Sequence, residues 1–251
     1  MKIKKIFYSK SIFLFTLTVV SILSSCSNDD KYFYYPYYSP SALVTIKNTT
    51  ENTCYFQLDD NTTLLPVNIR KSLYEKPEVR AFVNYEYSDE PSGIYDESVY
   101  VNWIDTILTK PIAPNLGEDN LSVYGNDPVE IVKDWVTLVE DGYLTLLFET
   151  YWGNNNTYHF VNLVPTENPE NPYELRFCHN AYGDTKGMPG QGIVAFDLNS
   201  LPDTNGETVK LKLIWESFSG EKSTEFDYCT RQTTVSMQPG TTSVRSVLPL
   251  K

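Results

Sequence analysis

Apolar and polar positions alternate in short runs along most of this 251-residue chain, and turn residues separate the runs. The first are "ALVTIK" (Ala42–Lys47), "CYFQLDD" (Cys54–Asp60) and "TTLLPVN" (Thr62–Asn68), with Asp60-Asn61 as a hairpin turn. In "EVRAFVNYEYS" (Glu78–Ser88), Val79, Ala81, Val83, Tyr85 and Tyr87 fall on one face of a strand. "ESVYVNWIDTILTK" (Glu97–Lys110) alternates through Val99, Val101 and Trp103 and then shifts register. Five short strands in about 70 residues predict a small closed barrel of the OB type.

"PIAPNLGEDN" (Pro111–Asn120) has prolines and a glycine but few large apolar residues, so a domain boundary is expected at 115/116. Strand patterns resume at Val129–Val132 and Trp135–Val139, and Asp141-Gly142 is a turn before Tyr143–Trp152. Further runs are Thr157–Pro165, Tyr173–Asn180, Ile193–Leu201, Thr208–Ser217 and Thr224–Thr230. The glycine-rich "AYGDTKGMPGQG" reads as a loop, and "QPGTTSVRSVLPL" as a tail or late edge strand. Seven or so strands at this spacing suggest a β-sandwich. The expectation is an all-β chain, with an OB-like barrel over 42–115 and a sandwich over 116–251.

The first 25 residues read differently. Lys2, Lys4, Lys5 and Lys10 precede the apolar run Ile12–Leu23, the form of a secretory signal. The run is short for a membrane-spanning helix, which needs roughly 20 apolar residues. It ends in Leu23-Ser24-Ser25-Cys26, which resembles the bacterial lipobox, with Ser25 in place of the usual Gly or Ala. The resemblance implies a diacylglyceryl group on Cys26 and cleavage before it. The following Ser27, Asn28, Asp29 and Asp30 resemble the acidic export tag of Bacteroidetes surface lipoproteins, which implies the outer membrane and the cell surface. Residues 26–41 are then a tether, whose aromatic cluster "YFYYPYY" is expected to lie partly against the first domain.

Removing residues 1–25 takes four lysines and no acid, leaving 16 basic against 32 acidic residues, a formal charge of −16. Such a surface repels phosphate backbones, so nucleic acid is not an expected partner. Three cysteines follow Cys26. Cys178 and Cys229 share the later half and are the better disulfide pair, leaving Cys54 over.

Catalytic motifs are absent: there is no G-x-S-x-G, no C-x-x-C and no H-E-x-x-H. His159 and His179 lie in strand patterns, which favours structural histidines with Asn162 and Asn180 as partners. Asp59, Asp60, Asn61 and Asp184 offer oxygens to calcium but read more simply as turn residues. No metal and no cofactor are expected. Acidic pairs of a glycosidase need no fixed spacing and carry little weight among 32 acids. Tyr85, Tyr87, Tyr100 and Trp103 offer a stacking face for a neutral glycan or protein, or else fill the barrel or the seam between domains. Asp105-Thr106-Ile107 resembles the acceptor triplet for O-glycosylation in Bacteroidetes, with Thr106 as the modified residue.

"YFQLDDNTTLLPVN", "VNYEY" and "VNWIDTILTK", then "GNDPVEI", "DGYLTLLFE", "HFVNLV", "LRFCHN", "GIVAFDLNSL" and "EFDY" together resemble the NigD-like lipoproteins of Bacteroidetes. The similarity implies an N-terminal OB-like barrel and a C-terminal sandwich, with no established catalytic residues. It also implies a polar residue at 178, so Cys178 is expected to point outward. The family name comes from a member linked to bacteriocin immunity. The expected function is a non-catalytic, lipid-anchored protein that binds or shields at the envelope, with bacteriocin immunity as one version. The alternative is a surface glycan-binding accessory to nutrient uptake, and a hydrolase working through acidic residues is a third.

Overall fold

The computed structural model describes residues 40–153 and 157–231. The signal-like segment, Cys26, the tag Ser27, Asn28, Asp29 and Asp30, the aromatic tether up to 39 and the tail after 231 lie outside the described residues. No helix among the described residues is long and apolar enough to cross a membrane.

Five strands close a barrel: β1 (Ala42–Asn48), β2 (Cys54–Gln57), β3 (Thr63–Pro66), β4 (Glu78–Tyr87) and β5 (Glu97–Thr106). Their order is β1-β2-β3-β5-β4, with β4 returning to β1 and β3 running parallel to β5. Closure leaves no unpaired strand edge. Asp59 builds the turn after β2, its Oδ1 accepting the amides of Asn61 and Thr62. Val44, Ile46, Phe56, Leu64, Ala81, Val83, Val99 and Val101 fill the interior.

The sandwich begins earlier than the proline-rich segment suggests. β6 (Thr109–Pro111) pairs in parallel with β12 (Met188–Asp197), so the chain passes from barrel to sandwich at Ile107–Leu108. A 3-10 turn (Gly117–Asp119) and the short helix α1 (Asn120–Tyr124) follow. The remaining strands are β7 (Glu130–Ile131), β8 (Leu138–Glu140), β9 (Tyr143–Trp152), β10 (Phe160–Pro165), β11 (Glu174–Asn180), β13 (Val209–Ser217) and β14 (Gly220–Tyr228). One sheet has the order β10-β11-β13-β14 and the other β6-β12-β9-β7, with β8 also paired to β9. Leu144, Leu146, Phe148, Val194 and Phe196 of one meet Leu163, Leu175, Phe177, Leu211 and Leu213 of the other.

The glycines read as loop at the start of β12 are strand. Gly192 lies opposite Phe148, and a Cβ on it would come within 2.5 Å of the Phe148 ring. The Trp152 indole covers Gly190 in the same way, at 2.4 Å. Glycine here makes room for neighbouring rings rather than for a turn.

The expected disulfide does not form: Cys54, Cys178 and Cys229 are all free thiols. Cys178 and Cys229 sit at opposite ends of one sheet, with β13 between their strands. Phe177 faces Trp215, Trp215 faces Lys222, and Tyr228 lies at the far end of β14. At about 3.3 Å per residue that is roughly 20 Å or more, where a bridge needs Cα atoms within about 7 Å. The outward orientation expected of Cys178 is also overturned. Its exposure is 0%, and burial raises its thiol to about 11.

Strand β4 is buried on both faces, which simple alternation does not predict. Ala81 and Val83 point into the barrel, while Arg80 and Phe82 point out and are equally covered. The sandwich covers them: Leu43, Phe82, Ile107, Val136, Leu147 and Ala195 form one apolar seam. Arg80, at 0% exposure, donates to Thr45 Oγ1 at 3.0 Å and to Glu140 Oε1 at 3.4 Å. Its guanidinium lies over the Tyr143 ring. Burial lowers its pKa, and the Glu140 and Asp141 carboxylates oppose that fall. Around it Lys47 pairs with Asp141 at 2.8 Å, Glu78 accepts from Tyr143 at 2.7 Å, and Arg231 pairs with Glu78 at 2.8 Å. Asp60, a turn residue by sequence, accepts the Asp141 amide at 2.7 Å.

Arg80→Ala is expected to destabilise the protein by about 3–5 kcal/mol in urea unfolding, because the buried Glu140 carboxylate loses the guanidinium that offsets its charge. Arg80→Met/Glu140→Leu should lose less than that single change. Equal losses would mean that the pair is not what holds the seam. In the folded protein a water-soluble thiol reagent should label Cys229 and spare Cys54 and Cys178 until denaturant is added.

Candidate functional site

His159 and His179 are 20 residues apart in sequence, and antiparallel pairing of β10 with β11 brings them together. His159 Nδ1 is 3.0 Å from His179 Nε2. His159 Nε2 is 3.3 Å from Asp184 Oδ2, and His179 Nδ1 is 3.2 Å from the Asp127 carbonyl oxygen. The Trp152 indole stacks on His159 at 3.9 Å with 23° between planes. Asn162 and Asn180 are not the partners expected: Asn162 Oδ1 accepts from Lys110, and Asn180 Oδ1 accepts the Tyr182 amide.

These partners fix the hydrogens. A carbonyl only accepts, so His179 Nδ1 carries a hydrogen and donates to Asp127. Its Nε2 then accepts from His159 Nδ1–H. The remaining His159 nitrogen, Nε2, faces the Asp184 carboxylate. Burial, and then the neighbouring His159 ring, lowers His179 to about 4. All four ring nitrogens are engaged inside the protein. As arranged, the chain holds two loops together: Asp184 also accepts the Gly153 amide, at 3.1 Å from either oxygen. Among the described residues no group of three or more His, Cys, Asp or Glu gathers as a metal site.

Above this buried chain the sandwich ends in exposed aromatic residues. Tyr151 and Phe218 meet edge to face at 5.2 Å, and Phe160 and Tyr182 do so at 5.5 Å. Tyr158 is 79% exposed, Met188 76% and Tyr182 63%. Tyr182 sits at φ 49°, the left-handed region that a bulky side chain disfavours. Sequence reasoning missed this surface. Its signal was a large aromatic or sulfur side chain set among turn residues, as in "YWGNNNTYHF", "AYGDTKGM" and "ESFSG".

The four aromatics expected to form one stacking face are divided. Tyr85 and Tyr87 stand together on the inner side of β4, with ring centroids 5.6 Å apart, Tyr85 against the barrel interior. A register shift at Asn84/Tyr85 places Trp103 opposite Asn84. Trp103 therefore leaves the face of Val99 and Val101 and packs on the seam with the sandwich, while Ile104 takes the inner position. Tyr100 is exposed on the outer face, between the inward Val99 and Val101. Thr106 is exposed at the end of β5, beside exposed Asp105.

Residues 43–107 match the model of the NigD-like N-terminal OB domain, and residues 111–228 match that of the NigD-like C-terminal beta sandwich domain. No curated protein matches the chain. It is similar to a solved structure from Parabacteroides distasonis ATCC 8503 described as toxin related. That match has 40% identity and a TM-score of 0.65, covering 75% of this chain and 92% of that one. A protein of unknown function from Bacteroides vulgatus ATCC 8482 has 23% identity and a TM-score of 0.62, covering 80% and 94%. A NigD-like immunity protein from Bacteroides caccae ATCC 43185 has 18% identity and a TM-score of 0.56, covering 78% and 99%. The last two show the shared fold.

An ordinary histidine titrates near 6.5, and His179 in the fold near 4. Unfolding therefore takes up a proton between those values. The stability owed to the neutral ring is complete above pH 6.5 and is lost as pH falls toward 4, at up to about 1.4 kcal/mol per pH unit. Thermal unfolding at pH 7.5 and pH 5 should show a larger drop in the native chain than in His179→Gln. The same drop in both would remove His179 as its cause.

Proposed function

We propose, from the premise that the chain belongs to the NigD-like family, that it is a lipid-anchored envelope protein that works by binding or shielding rather than by catalysis. The observation that carries this reading is Leu23-Ser24-Ser25-Cys26 at the end of a signal-like run, followed at once by Asn28, Asp29 and Asp30. It favours a mature protein at the outer membrane, tied by acyl chains on Cys26 and facing outside. Two or more chains make a stable anchor where one is marginal. The histidines support a non-catalytic role, because both use their ring nitrogens on internal partners.

Within that reading the specific role is protection against a bacteriocin. The relatives described as toxin related and as an immunity protein favour it. An anchored binder meets its target at a high effective concentration, so a modest affinity suffices to intercept a toxin at the membrane. Mass spectrometry of the protein from its native membrane should find Cys26 first and diacylglycerylated. A deletion strain should become sensitive to a bacteriocin made by its neighbours, and the native gene should restore resistance where Cys26→Ser does not. An unmodified amino terminus would sink the anchor, and unchanged sensitivity across those bacteriocins would sink the immunity role.

A further inference from the structure

We propose that the aromatic end of the sandwich is a membrane-docking surface, seated on the lipid to which the anchor ties the protein; the proposal rests on the anchored reading above.

Tyr151, Tyr158, Phe160, Tyr182, Met188 and Phe218 stand exposed at one end of the two sheets. Aromatic side chains are favoured at the boundary between headgroups and acyl chains, where an apolar ring and a polar edge are both satisfied. In water the same patch is costly and uncommon.

Charge favours the same surface. At the tip, Gly153 and residues 157–160, 182–188 and 217–220 contain one acid, Asp184, and one lysine, Lys186, in a chain with 32 acidic residues. The Asp184 side chain is 9% exposed and turned inward onto His159 and Gly153. Lys186 is exposed. The exposed acid nearest to it, Glu221, directly follows the 217–220 turn and is paired with Arg176 at 2.5 Å, so this end carries little uncompensated acid to repel anionic headgroups.

The direction of β1 bears on the same surface. Lys47, late in β1, pairs with Asp141 just before β9, and Leu43, early in β1, packs in one cluster with Leu147 of β9. β1 thus runs backward along β9, and its first residues point toward the end of β9, where Tyr151 and Trp152 lie. The fourteen residues 27–40 separate Cys26 from Ser41. Extended, they reach at most about 50 Å. Anchor and aromatic end can therefore meet one bilayer together.

This end is also held rigidly. Asp184 and His159 pin the loops that carry Tyr158 and Tyr182, and Tyr182 is held in an unfavourable backbone conformation. Backbone strain of this kind persists where surrounding structure over-determines it, and it concentrates at ligand-facing sites.

The test uses lipid-bearing protein purified from its membrane and returned to vesicles of phosphatidylethanolamine and phosphatidylglycerol containing a photoactivatable phospholipid. Crosslinked peptides should map to 157–160, 182–188 and 217–220, several-fold above those at Asp203–Gly206. In Tyr158→Ser/Tyr182→Ser/Met188→Ser that excess should vanish while the protein still floats with the vesicles. All three side chains are exposed, and circular dichroism checks that the variant folds. Even labelling of a protein that floats would overturn the docking surface and leave the anchor standing. Labelling of neither end, with capture of a glycan or a purified bacteriocin through these same residues, would overturn it as well. If the protein does not float and Cys26 is unmodified, the anchor reading fails separately. Vesicles in excess then decide the surface: labelling of the same three segments upholds it, and none overturns it.

Discussion

A guanidinium that no water reaches sets the relation between the two halves of this protein. Arg80 leaves the outer face of a barrel strand and meets Glu140 and Tyr143 of the sandwich, with Thr45 beside it. Burying such a cation is costly unless a counter-charge and acceptors are held in place. That requirement ties the two modules to one geometry. Lys47, Glu78, Asp141 and Arg231 extend the arrangement. Apolar contact alone, through Leu43, Phe82 and Leu147, would tolerate sliding; charges with directional partners tolerate much less. Because β1 is fixed against β9 in this way, the start of β1 is fixed relative to the far end of the sandwich.

That far end is arranged differently. Its strands finish in turns that carry aromatic side chains outward, and beneath them a carboxylate and two imidazoles link the loops by hydrogen bonds. Gly190 and Gly192 give up side chains so that Trp152 and Phe148 lie flat across the neighbouring strand. The site thus has a stiff base and an apolar rim. Such a division suits a surface that must stay in shape while facing either water or a partner of low polarity.

Much of the fold could be read along the chain. Period-two alternation located most strands, Asp141-Gly142 marked the β8–β9 hairpin, and Asp59 formed the turn its side chain suggested. Misreadings arose where a second layer intervened. β4 looked half buried, yet the sandwich covers its outer face. Trp103 seemed to share a face with Val101 until a register shift turned it away. The glycine-rich stretch looked like loop because the rings that fill its space come from another strand. Cys178 and Cys229 looked like a pair because distance in sequence says nothing about position along a sheet.

The sequence by itself determined the class of structure, the signal-like pattern of its start and the acidic balance, because those depend on local periodicity and composition. The tertiary structure alone decided that His159 meets His179, that Arg80 is sealed in a seam, and that Tyr151 meets Phe218 and Phe160 meets Tyr182 at one end of the sheets. Each of these depends on strand order and register. Those are set by which faces bury together across the whole chain, and no window of neighbouring residues contains that information.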